Sequence, residues 1–195
     1  MTKAEDLKKL AEEMEQDATL PLRGANFVWG EGNIDSKVVF VGEAPGARED
    51  ELKRPFVGRS GQLLDKLIGQ IGWKREDVFI TNIVKRRPPE NRDPLPEEIA
   101  AYKPYLTRQL KLLNPTIVVT LGRFSMNYFL PEATITPDQG KVFRLGSWFV
   151  VPMFHPAAAL RSTGTLKALT DSFLRIPAII KKCDEVLAKE GKLLS

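Results

Sequence analysis

The chain has 195 residues, enough to bury one sizeable core and too few for two comfortable ones, so a single domain over residues 1–195 is expected. Hydrophobic residues make up 43% and charged residues 28%, the balance of a soluble globular protein, and no window reaches the roughly 18 apolar residues of a membrane span. A net charge of +4 permits nucleic-acid binding without demanding it, and the single cysteine, Cys183, excludes an internal disulfide and any multi-cysteine metal or cluster site.

Residues 3–16 read as a helix, with Leu7, Leu10, Ala11 and Met14 at helical spacing and charges elsewhere. The stretch is charged, lacks an apolar core of signal-peptide length and suggests a cytoplasmic protein. "KVVFVGEAPG" is a buried strand running into a glycine loop, and Ser60 is a candidate N-cap for "GQLLDKLIGQIG", whose Leu63, Leu64, Leu67, Ile68 and Ile71 share one face. "DVFITNIV" is a second strand, followed by the proline-stiffened basic loop "KRRPPENR". Pro96, Glu97 and Glu98 open a helix to about residue 113, as expected for proline and acids in a first turn. "PTIVVTLG" is a third strand with the short helix "RFSMNYFL" after it, and "KVFRLGSWFVVP" is a hairpin with "MFHPAAALRS" as its exit. A last helix spans roughly 165–189, kinked or broken at Pro177.

Strands alternating with helices predict a three-layer α/β/α sandwich around a mostly parallel sheet. In such sheets ligands bind beyond the carboxyl ends of the strands, where "GEAPG", "TNIVKRRPPENR" and "MFHPAAALR" all emerge. The loop from Gly42 to Gly61 is far longer than a connection needs, which marks it as the wall of a binding cleft. It contains neither a Walker nor a dinucleotide glycine signature, and the chain has no HExxH and no GxSxG to make His155, its one histidine, part of a hydrolase triad.

"GEAPGAREDELKRPFVGRSGQLL", "ITNIVKRRPPENRDP" and "FHPAAALR" together resemble, in order and spacing from about Gly30 to Arg161, the signature segments of the family-four uracil-DNA glycosylases, the iron–sulfur type. The resemblance implies an enzyme that flips deoxyuridine out of the DNA stack and cuts its N-glycosidic bond. Gly42 and Ala44 then belong to the base pocket, Phe56 matches the stacking aromatic and Asn82 the amide that reads the uracil edge. His155 matches the donor to uracil O2 as negative charge builds on the leaving base. Glu43 is the candidate for orienting water or stabilising the cationic sugar, with Glu49 and Asn91 as helpers. Arg59, Lys85, Arg86, Arg87, Arg92 and Arg161 would hold phosphates, and Leu160 or Arg161 would fill the gap left by the flipped base.

The family's cluster needs four cysteines. The third position here is Arg86, the fourth is Tyr102, and the N-terminal pair would fall in "EQDATL", so no cofactor is expected. A plug of Tyr102, Leu20, Leu22 and Phe27 should stand there instead, with Arg86 pointing outward or paired with an acid such as Asp17. The second loop carries no histidine, so turnover is expected and not a covalent adduct, and no lysine is placed for Schiff-base chemistry. The reading is a monomeric, monofunctional glycosylase acting on uracil in single- and double-stranded DNA. Its alternatives are an inactive DNA-binding homologue and a glycosylase for hypoxanthine or xanthine.

Overall fold

The computed structural model describes residues 2–193. Helix α1 (Lys3–Gln16) starts in a capping box between Thr2 and Glu5 and buries Leu7, Leu10 and Met14. Strand β1 (Glu31–Gly32) is followed by β2 (Val38–Gly42), the short α2 (Ala47–Leu52) and α3 (Arg59–Gln70). After β3 (Phe79–Asn82) the basic loop leads to α4 (Pro96–Leu113), β4 (Ile117–Leu121), α5 (Arg123–Phe129) and α6 (Ile135–Asp138). The hairpin of β5 (Phe143–Leu145) and β6 (Trp148–Met153) precedes α7 (Pro156–Ala159), α8 (Thr163–Phe173) and α9 (Ile176–Leu193).

The strands form one sheet in the order β1-β3-β2-β4-β6-β5, whose four inner strands are parallel and whose two short edges are antiparallel. Alternate side chains serve opposite layers. Val38 and Phe40 join the core under α3, α8 and α9, while Val39 and Val41 join the core under α1 and α4. Both faces are covered, which is why the inner strands read as unbroken apolar runs. The expected three-layer sandwich is therefore the fold. The chain leaves β2 for β3 on one side and returns to β4 on the other, and a crevice opens at that reversal, beyond the strands' carboxyl ends.

Local expectations hold with three differences. Gly58, not Ser60, occupies the N-cap of α3, because an ordered turn from Pro55 brings the chain in one residue pair early. The last helix breaks as expected, but at Leu174 and Arg175 and not at Pro177, which lies in the first turn of α9, where it lacks no partner. The elements β1, α2, α6 and α7, the last within the expected exit loop "MFHPAAALRS", were not legible, being too short to show a period.

Candidate active site

Four side chains from three strand exits meet in a cleft of about 400 Å³: Glu43 after β2, Phe56 from the same long connection between β2 and α3, Asn82 at the end of β3, and His155 after β6. Ala44, Glu49, Asn91, Arg92 and Arg161 also line it. Gly42 packs behind Asn82 and Phe56. A methyl group there would collide with Asn82 Oδ1 and the edge of the Phe56 ring, so only glycine lets both approach the backbone this closely.

Phe56 is held in a left-handed backbone conformation, φ 51°, which a phenylalanine does not adopt unaided. The Arg75 guanidinium donates to the carbonyls of both Pro55 and Phe56 and is anchored by Glu31 at 2.6 Å and Asp65 at 2.7 Å. From the other side, Glu49 Oε1 accepts the N–H groups of Val57 at 2.9 Å and Gly58 at 2.8 Å. Gly61 then packs against the Phe56 carbonyl so closely that any side chain would overlap it. Glu49 thus acts first as a clamp on the Phe56 loop, a more specific place than the helper role expected of it.

His155 stacks against Phe56, ring centres 5.7 Å apart and 29° from parallel. Its Nδ1 accepts the Ala157 N–H at 3.1 Å, capping α7, so in the neutral ring the proton sits on Nε2. Desolvation pulls its pKa down to about 4, with Glu49 opposing weakly, so the imidazole is neutral at physiological pH and presents one N–H. Gln139 steadies this exit: its Oε1 accepts the Phe154 N–H at 2.5 Å and its Nε2 donates to Ser172 at 3.0 Å.

Glu43 is partly buried, with Oε1 3.4 Å from the Phe124 N–H. Burial raises its pKa to about 7, the Phe124 N–H and Arg123 pull it down, and Asp93 adds to the rise. Gly122, φ 99°, provides the room, since a side chain there would strike Glu43 Oε1. Gly122, Arg75 and Gln139 escape sequence reasoning. Only Gly122 carried a signal, a glycine closing a buried strand as Gly42 does.

The expected DNA-facing cations divide. Arg59, Arg161 and Leu160 are exposed, Leu160 at 50%. Arg87 donates to Asn91 Oδ1 at 2.7 Å, and Arg92 forks onto Glu98 at 2.6 and 2.9 Å. Lys85 and Arg86 are buried and cannot reach a phosphate. Lys85 turns under the sheet end, and Arg86 turns inward to the Ala25 carbonyl at 2.6 Å and the Glu15 carbonyl at 3.3 Å, over the Phe27 ring. Arg86 therefore neither points outward nor pairs with Asp17, whose carboxylate holds Thr19 and Tyr105.

Around Arg86 the positions that would ligate a cluster come together without a thiolate. Tyr102 is fully buried and donates to the Pro21 carbonyl at 2.9 Å, with Leu20 buried and Leu22 and Phe27 partly buried in the same core. A guanidinium, a phenol and leucines offer no anionic sulfur, and the residues at this place do not fit an iron–sulfur cluster.

A cleft at the carboxyl ends of a parallel sheet, holding an aromatic, an amide, a neutral imidazole donor and a carboxylate, is that of a base-excising glycosylase. Residues 29–176 match the uracil DNA glycosylase superfamily, and the chain belongs to that superfamily. Within it the chain is similar to type-4 uracil-DNA glycosylases. It is 44% identical over 164 residues to that of Thermotoga maritima (81% of this chain, 85% of the relative) and 46% over 161 residues to that of Saccharolobus solfataricus (77% and 74%). It is 49% identical over 168 residues to that of Pyrobaculum aerophilum (80% and 85%).

Proposed function

We propose that the cleft takes a flipped deoxyuridine and breaks its N-glycosidic bond dissociatively, stabilising the departing base more than it activates the attacking water. The protein is a uracil-DNA glycosylase of DNA repair, and it releases uracil to leave an abasic site. Phe56 stacks on the base, while the Asn82 amide takes the N3 hydrogen and donates to O4. Cytosine presents the reverse pattern and leaves buried groups unpaired, at a cost of about 1–3 kcal/mol each. The His155 Nε2–H donates to O2 as charge accumulates there, and Glu43 in its ionised form orients water toward the sugar or offsets its positive charge. The observation that carries this reading is the convergence of Phe56, Asn82, His155 and Glu43 on one cleft, with the His155 ring stacked on Phe56 and both the Phe56 ring and Asn82 Oδ1 seated against Gly42.

The cleft lining contains no lysine among the described residues, which supports hydrolysis without strand cutting. No cofactor takes part, single- and double-stranded DNA are both substrates, and the protein acts as a monomer. The short edge strands support the monomer, since they offer little to pair with. The test is a labelled oligonucleotide with one deoxyuridine. Strand breaks appear only after alkali with the wild type and fall by about 10²–10³ in Asn82→Ala and His155→Ala. A folded wild type that binds this DNA without cutting it, but cuts hypoxanthine or xanthine DNA, would transfer the reading to another base.

A further inference from the structure

Lys85 does not line the cleft, yet its side chain is wholly buried one peptide carbonyl behind the base-reading Asn82. Its Nζ lies 2.9 Å from the Asn82 carbonyl oxygen, 2.6 Å from Gln109 Oε1 on α4 and 2.5 Å from Thr81 Oγ1. The Trp29 ring centre is 5.6 Å away. The Thr81 hydroxyl gives its own hydrogen to the Trp29 carbonyl at 2.7 Å, so toward Lys85 its oxygen can only accept. The Asn82 carbonyl and Gln109 Oε1 carry no hydrogen, and Gln109 Nε2 faces the Trp29 carbonyl at 3.4 Å, which fixes that amide's orientation.

Three acceptors therefore converge on one nitrogen. An ammonium has three hydrogens to meet them, whereas a neutral amine has two and would set its lone pair against an oxygen. Burial pulls the Lys85 pKa well below the usual lysine value. The three acceptors and the ring face act in the opposite direction, each favouring the charged form. No carboxylate pairs with it among the described residues, so the charge is not cancelled locally. An uncompensated buried cation is a costly way to tie three groups together. It has a purpose where negative charge develops nearby, because a field inside a dry, low-dielectric site is screened far less than in water.

We propose that Lys85 is a positioning residue of the glycosylase reaction: a buried ammonium that fixes Asn82 through its carbonyl and sets positive potential behind the pocket in which uracil departs as an anion. The proposal rests on the reading of the cleft given above.

The test compares single-turnover cleavage of oligonucleotides containing deoxyuridine or 5-fluorodeoxyuridine by the wild type and Lys85→Gln, with DNA affinity and melting temperature measured alongside. Fluorine makes the leaving base more acidic and less dependent on help. The expected result is a loss of about 10²-fold on deoxyuridine and only about 10-fold on 5-fluorodeoxyuridine, at unchanged DNA affinity. Equal losses on both substrates would reduce Lys85 to scaffolding and overturn the proposal while leaving the reading of the cleft intact. A wild type inactive on both would instead overturn that reading, and the proposal with it. Should Lys85→Gln not fold, the wild type still decides. The lysine ζ-nitrogen resonance of the ¹⁵N-labelled protein at neutral pH is expected at an ammonium shift, and an amine shift would overturn the proposal.

Discussion

His155 and Glu43 leave the usual titration ranges in opposite directions, and burial is the leading cause for both. His155 with a pKa of about 4 stays neutral through the working range and adds no limb to the pH profile there. Glu43, raised to about 7, does add one. Its carboxylate is the working form and its fraction grows with pH, so single-turnover rates should climb about tenfold per pH unit below the midpoint and level off above it. Glu43→Gln should slow the reaction and remove the limb. Arg123→Ala should move the limb to higher pH, because Arg123 favours the ionised form. A wild-type rate independent of pH across that range would count against Glu43 as the water-orienting group. Phe56, Asn82 and His155 were legible because each stands at a strand exit or in a glycine–proline loop inside a recognisable motif. Lys85 and Arg86 were misread because a basic loop looks solvated, and sequence does not show that carbonyls and an amide wait for those side chains inside.

At the scale of elements, the turn from Pro55 to Gly61 is the part most dependent on distant support. Arg75 lies beyond the whole of α3 from the carbonyls it holds, a contact that no local pattern announces. Arg75→Ala should release the strained Phe56, lowering single-turnover cleavage by about 10-fold or more while the protein still melts cooperatively. Arg75→Lys should not restore it, since an ammonium cannot fork across two carbonyls and two carboxylates. Gly61→Ala should act on stability, costing about 1–3 kcal/mol in denaturant unfolding as the methyl forces the Phe56 carbonyl aside. Long periodic elements such as α3 and α4 were legible in sequence. The turn geometry that makes them useful was not, because it is set by partners from other elements.

For the whole molecule, the N-terminal segment, the basic loop and α4 are tied by Arg86, Tyr102 and the Asp17–Tyr105 bond, where the family resemblance implies a cluster. The melting temperature should therefore be the same with and without an iron chelator, and Tyr102→Phe should cost about 1 kcal/mol for the lost bond to Pro21. With Lys85 and Arg86 buried, Arg59, Arg87, Arg92 and Arg161 remain of the six expected phosphate contacts. The slope of log affinity against log salt should then be no steeper than about −3.6, where all six would give about −5.4.

The order of the strands also governs when the protein becomes competent during synthesis. The central strand β2 is made early, but the fourth strand end, with His155, arrives only after residue 153, and the layer over it waits for α8 and α9. A nascent chain still lacking its last quarter owns Phe56 and Asn82 but no donor for the leaving base, and one face of its sheet is covered by α3 alone. Glycosylase activity regained on refolding should thus report closure of the entire sheet and not of any one part, and ribosome-bound fragments lacking His155 should fail to excise uracil.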